Sequence, residues 1–85
     1  MQPKVNHYST GCNAVMVEIG RLTLYFSYQT VVAFKSEDKL VVSENVWGKT
    51  TARHINSIDG GNKAHRLDRA SFKAALEKLL AFHRL

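Results

Sequence analysis

The chain has 85 residues with 45% apolar and 22% charged side chains, one proline and one cysteine. That is one small packed domain, not a disordered or collagen-like chain, and a single cysteine excludes an internal disulfide. The formal net charge is +5, and no apolar run approaches the roughly 20 residues of a membrane-spanning helix. The N-terminus lacks the apolar stretch of a signal peptide, so the expected location is the reducing cytoplasm.

The first twelve residues, with Pro3, Asn6, Ser9, Thr10 and Gly11, show no period and read as a lead-in segment. Period two begins at Asn13. Val15, Val17 and Ile19 alternate with Ala14, Met16 and Glu18, and Leu22, Leu24 and Phe26 alternate with Thr23, Tyr25 and Ser27. Gly20-Arg21 between them fits a two-residue type II′ hairpin, which pairs Ile19 with Leu22. The six residues Val15 to Phe26 of that alternation then share the core face, with Met16, Thr23 and Tyr25 on the other. Thr30–Phe34 and Leu40–Val42 are further β-rich runs, joined by the polar turn 35–39. Tyr28-Gln29-Thr30 offers no glycine or proline, so it is a turn or a bulge within one long strand. The expectation is a three- or four-strand antiparallel meander, with four strands favoured.

After Val46-Trp47-Gly48 the period becomes helical. Thr50 or Thr51 is a suitable N-cap. Ala52, Ile55 and Ile58 fall on one arc, and Asp59-Gly60-Gly61 ends the helix, with Gly60 suited to a left-handed cap. The opposite face carries Thr50, Arg53, His54 and Ser57. Residues 62–66 read as a polar connector. Asp68 is a good N-cap for a longer helix, Leu67 and Phe72 suit a hydrophobic staple, and Phe72, Ala75, Leu76, Leu79 and Leu80 form its apolar stripe. The fold class is therefore α+β. It is a single domain over 1–85 (lead-in 1–12, sheet 13–46, basic helical half 49–85), with a short and a long C-terminal helix on one face of the sheet.

Charge is divided unevenly. The first 48 residues balance four basic against four acidic side chains, while residues 49–85 hold eight against three. A basic half joined to a neutral half points to an acidic partner such as nucleic acid or an acidic protein surface. Metal chemistry finds little: Cys12, His7, His54, His65 and His83 form no short ligand pairs, so no metal is expected. Cys12 is the sole thiol and suits a small buried hydrophobe. No nucleophile-elbow or P-loop pattern is present, the Gly60-Gly61 loop following a helix rather than leading into one. Neither catalysis nor a cofactor is expected.

The candidate binding residues are Lys49, Thr50, Arg53, His54, Ser57, Lys63, Arg66 and Arg69, types that contact phosphates well. Tyr25 and Tyr28 have rings able to stack on bases, though Tyr25 suits a plain cross-strand aromatic better. Trp47 suits a plug in the core.

The stretch Tyr25-Phe26-Ser27-Tyr28-Gln29-Thr30-Val31-Val32-Ala33-Phe34, followed by Glu44-Asn45-Val46-Trp47-Gly48-Lys49-Thr50-Thr51-Ala52-Arg53-His54-Ile55-Asn56, resembles a group of small bacteriophage and prophage proteins. The resemblance covers about 40% of the chain, from Leu24 to Ile58. It implies a phage or mobile-element origin and an intracellular role, and it singles out Trp47, Thr50, Thr51, His54 and Asn56 without giving them roles. The expected function is a non-enzymatic accessory protein that binds nucleic acid, or a nucleoprotein, through its basic C-terminal half. The alternative is a stoichiometric protein inhibitor of a host defence complex, of the anti-CRISPR or anti-restriction type. No membrane partner is expected. An unpaired strand edge leaves a homodimer open.

Overall fold

The computed structural model describes residues 3–9 and 11–83. Five strands form one antiparallel sheet in sequence order: β1 (Lys4–His7), β2 (Ala14–Ile19), β3 (Leu22–Ser27), β4 (Thr30–Ser36) and β5 (Lys39–Val42). Two helices follow, α1 (Lys49–Asp59) and α2 (Arg69–Phe82), with one turn of 3₁₀ helix at Lys63–His65 between them. The architecture is the expected α+β meander with a short and then a longer helix. Among the described residues no helix is long and apolar enough to cross a membrane.

The hairpins follow from their loops. Ile19 pairs with Leu22 as the hairpin turn predicts, and Gly20 alone takes the positive φ, 62°. Ser36 pairs with Lys39 around Glu37-Asp38, both left-handed at φ 51° and 68°. The ambiguous connection is also a two-residue turn. Ser27 pairs with Thr30, and Tyr28 occupies the left-handed region at φ 58°. A tyrosine carries no turn signal there, because the conformation is strained for a side chain with Cβ. The alternative of one long strand bent there by a bulge does not hold; a bulge lies elsewhere, where Tyr25 pairs with Ala33 and Phe26 with Val31, so Val32 is the extra residue on β4.

The lead-in reading is corrected by β1. Val5 pairs with Val17 and His7 with Val15, so this segment borrows its conformation from the free edge of β2. All four of its residues are exposed, which is why no hydrophobic period marks it. The opposite edge is closed in part by Leu67, whose N–H donates to the Val42 carbonyl and whose carbonyl accepts from the Glu44 N–H.

Cross-strand partners share a side of a sheet. Met16, Tyr25, Ala33 and Val42 are successive partners, and Val32, Ala33 and Val42 pack with Ile55 of α1, with Tyr25 and Ile58 beside them. Val17, Leu24, Phe34 and Val41 are partners on the other side, where Phe34 meets Phe72 of α2 at 5.6 Å between ring centroids. The helices thus divide between the two sides. The strand side expected to face water is covered by α1. The side expected to hold the whole core carries α2, with Leu22, Phe34 and Phe72 buried and Val15, Val17, Ile19, Leu24 and Phe26 half-buried. The turn through Leu67 past the β5 edge is what carries the chain from one side to the other.

The helix ends hold one correction. Neither Thr50 nor Thr51 caps α1: Gly48 is the N-cap, offers no side chain, and accepts the first helical bond from the Ala52 N–H. At the other end Gly60 takes the left-handed conformation, φ 68°. Asp68 caps α2, its Oδ2 accepting from the Ser71 N–H, and its carboxyl is held below the usual range chiefly by the Ser71 side chain and then by that N–H.

Candidate nucleic-acid interface on the basic helix

On α1, residues 51, 54, 55 and 58 follow the i, i+3, i+4, i+7 spacing of a packed face. Thr51, His54 and Ile55 are buried, and the polar two converge on one strand residue. The Ser27 Oγ is hydrogen-bonded to the Thr51 Oγ1 at 2.9 Å and to the His54 Nδ1 at 2.7 Å. Around this trio stand three tyrosines. Tyr8 is edge-on to Tyr25 and to His54, its hydroxyl donating to the Phe26 carbonyl, and the Tyr28 ring lies 6.0 Å from the imidazole. Burial lowers the His54 pKa and raises that of Tyr8 to about 12, the neighbouring Tyr25 adding to the latter. A buried polar cluster needs every member satisfied, and this one locks α1 onto the end of β3.

His54 is therefore a correction. It was expected on the exposed face, yet it is only 4% exposed. The signal was present in the spacing of Thr51, His54, Ile55 and Ile58, obscured because two of these residues are polar. Ser27, which lies in the resembling stretch but was not singled out in it, is buried where β3 ends under α1.

Arg66 and Arg69 are corrections as well. The Arg66 guanidinium grips Asp59 with two bonds, Nε to Oδ2 at 2.7 Å and Nη2 to Oδ1 at 2.8 Å, and Nη2 also donates to the Asn56 Oδ1. This is the one ion pair among the described residues. The Arg66 hydrogen bond lowers the Asp59 pKa, and the carboxylate raises that of Arg66. Arg69 lies over the Trp47 ring at 4.7 Å and the Phe72 ring at 5.3 Å, and donates to the Ser43 Oγ. Both guanidiniums are committed to the fold. Trp47 does not plug the core: it remains 41% exposed, with one face against Arg69. Cys12 is exposed rather than buried. The Gly60-Gly61 loop has spent the Gly61 N–H on the Asp59 side chain and the Asn62 N–H on the Asp59 carbonyl.

What remains outward is Lys49, Thr50, Arg53 and Ser57 along α1, with Asn56 beside them and Lys63 in the 3₁₀ turn. Lys49, Arg53 and Ser57 are spaced by four, so they lie along one strip of the helix. The Ser57 hydroxyl donates back to the Arg53 carbonyl and lies 3.0 Å from the Ser9 hydroxyl. The only acid in α1 is Asp59, already paired with Arg66, and neither Lys49 nor Arg53 is in an ion pair among the described residues. Lys63 stands apart, beside Glu44, Asn45 and Arg66 at a shallow cavity. Among the described residues no three His, Cys, Asp or Glu side chains converge as metal ligands would.

The sequence model of a family described as a family of unknown function (DUF8033) matches residues 4–74. The chain belongs to that family. The matched segment takes in all five strands, α1 and the first turn of α2, and so includes the whole basic strip and the Ser27–Thr51–His54 cluster. No curated protein and no solved structure matches the chain.

Proposed function

We propose that this protein is a non-enzymatic accessory protein of phage type, acting in the cytoplasm, that binds nucleic acid through the outward face of α1. The carrying observation is the strip Lys49, Thr50, Arg53 and Ser57, exposed and, among the described residues, in no ion pair. Lysine and arginine neutralise phosphates, and the Thr50 hydroxyl can donate to a phosphate oxygen. The phage setting rests on the motif resemblance alone.

Titration of labelled duplex DNA and RNA at 50 and 200 mM salt tests this. With Lys49, Arg53 and Lys63 on phosphates, the logarithmic salt slope is about −2.7, a loss of roughly fortyfold over that interval. Lys49→Ala with Arg53→Ala should reduce the slope to about −0.9. No binding at 50 mM salt overturns the proposal.

A protein target is the second reading, as for an inhibitor that occupies a host defence complex. Val46 and Trp47, exposed just before α1, favour it, because tryptophan is among the residues enriched at the energetic centres of interfaces. Binding that is lost in Trp47→Ala but insensitive to salt would select this reading.

A further inference from the structure

Phe72 packs on Phe34, but Ala75 and Leu79, one turn apart, wall a groove whose floor is Phe34 and Val41, cross-strand partners on β4 and β5. The groove encloses about 410 Å³, within the range of roughly 300–1,000 Å³ typical of small-molecule sites. Phe82 lines its end and is 80% exposed.

Two charges sit on this lining, and both are positive. They are Lys39 on β5 and Lys78 on α2. No Asp or Glu lines the groove, and neither ammonium is in an ion pair among the described residues. Lysine stems lie along apolar surface while their charged ends stay in water, so the groove is apolar within and cationic at its mouth. Its complement is a hydrocarbon chain ending in an anion.

We infer that this groove binds a free medium-chain carboxylate, the chain against Phe34, Val41 and Leu79 and the head group at Lys39 and Lys78. The site lies on the α2 side of the sheet, away from the strip on α1, and is independent of the nucleic-acid reading. The length of chain held and the charge of the head group make separate contributions. Each methylene buried should tighten binding about fourfold. Two solvent-exposed ion pairs should together contribute about fivefold.

The experiment titrates the full-length protein with hexanoate, octanoate, decanoate and decanol, followed by backbone amide shifts, at concentrations below self-association of the ligand. Affinity should rise from hexanoate to decanoate, with shifts centred on Phe34, Val41, Ala75 and Leu79. Lys39→Gln with Lys78→Gln should weaken decanoate about fivefold and leave decanol unchanged. Decylammonium binding as tightly as decanoate overturns the inference, as does affinity independent of chain length. So do shifts centred elsewhere, or a groove already occupied by a second copy, seen as a dimer in sedimentation that the carboxylate does not dissociate.

Discussion

Arg66→Ala separates a structural arginine from a binding one. The guanidinium makes two bonds to Asp59 and one to Asn56, and the paired side chains are only 6% and 10% exposed. An exposed pair would contribute about 0.2–1 kcal/mol, and breaking a fully buried pair would cost about 3–5 kcal/mol. This pair lies between those limits: Asp59 keeps its bond from the Gly61 N–H and the site opens to water. Truncation should therefore cost about 2 kcal/mol, or roughly 8–16 °C in melting temperature for a domain this small. The pH dependence follows from Asp59. Its folded pKa is lowered chiefly by Arg66, so the stabilisation is complete above the ordinary carboxylate pKa of about 3.9 and is lost as pH falls toward the lower folded value. Melts of both proteins between pH 2 and pH 7 should converge at the acid end. An Arg66→Ala protein that melts within 2 °C of the parent at pH 7, yet loses nucleic-acid affinity, would refute the assignment of Arg66 to the fold.

Burial lowers the His54 pKa, so the folded state resists protonation. Its stabilisation is full above the ordinary histidine pKa of about 6.5 and declines as pH falls from there toward the folded value; His54→Gln should flatten the melting temperature between pH 7.5 and 5, and an unchanged slope would contradict it. Phe72→Ala removes a fully buried ring packed at a tilt against Phe34 and should cost about 3–5 kcal/mol in urea unfolding, a large share of the whole stability of an 85-residue domain. Tyr28→Gly relieves a left-handed tyrosine that is 52% exposed. Relief of about 1–2 kcal/mol exceeds the loss of one exposed ring contact, so the variant should unfold at higher urea, and a lower midpoint would show that packing on His54 dominates.

The distinction drawn by Arg66 recurs along the whole basic half. Charge counting placed eight cations after Gly48, but a count does not tell which of them have internal partners. Arg66 and Arg69 find theirs across a Gly-Gly turn and a strand edge, contacts separated by 7 and 26 residues. Lys49 and Arg53 keep the role that composition suggested, because helix geometry sets their exposure as soon as the buried stripe is known.

The sequence by itself determined what depends on near neighbours. Gly20-Arg21 and the alternation around it set the β2–β3 register, Gly60 and Asp68 set helix boundaries, and the change from period two to period 3.6 set the α+β class. Tertiary structure decided what no local preference encodes. Lys4–His7 became a strand because β2 had a free edge to pair. Thr51 and His54 turned inward because the Ser27 hydroxyl satisfies them both, and a polar side chain is buried only where such a partner waits. The sides taken by the two helices followed from the path of the chain through Leu67 past the edge of β5, a choice between two apolar sheet faces that hydrophobic pattern alone leaves equal.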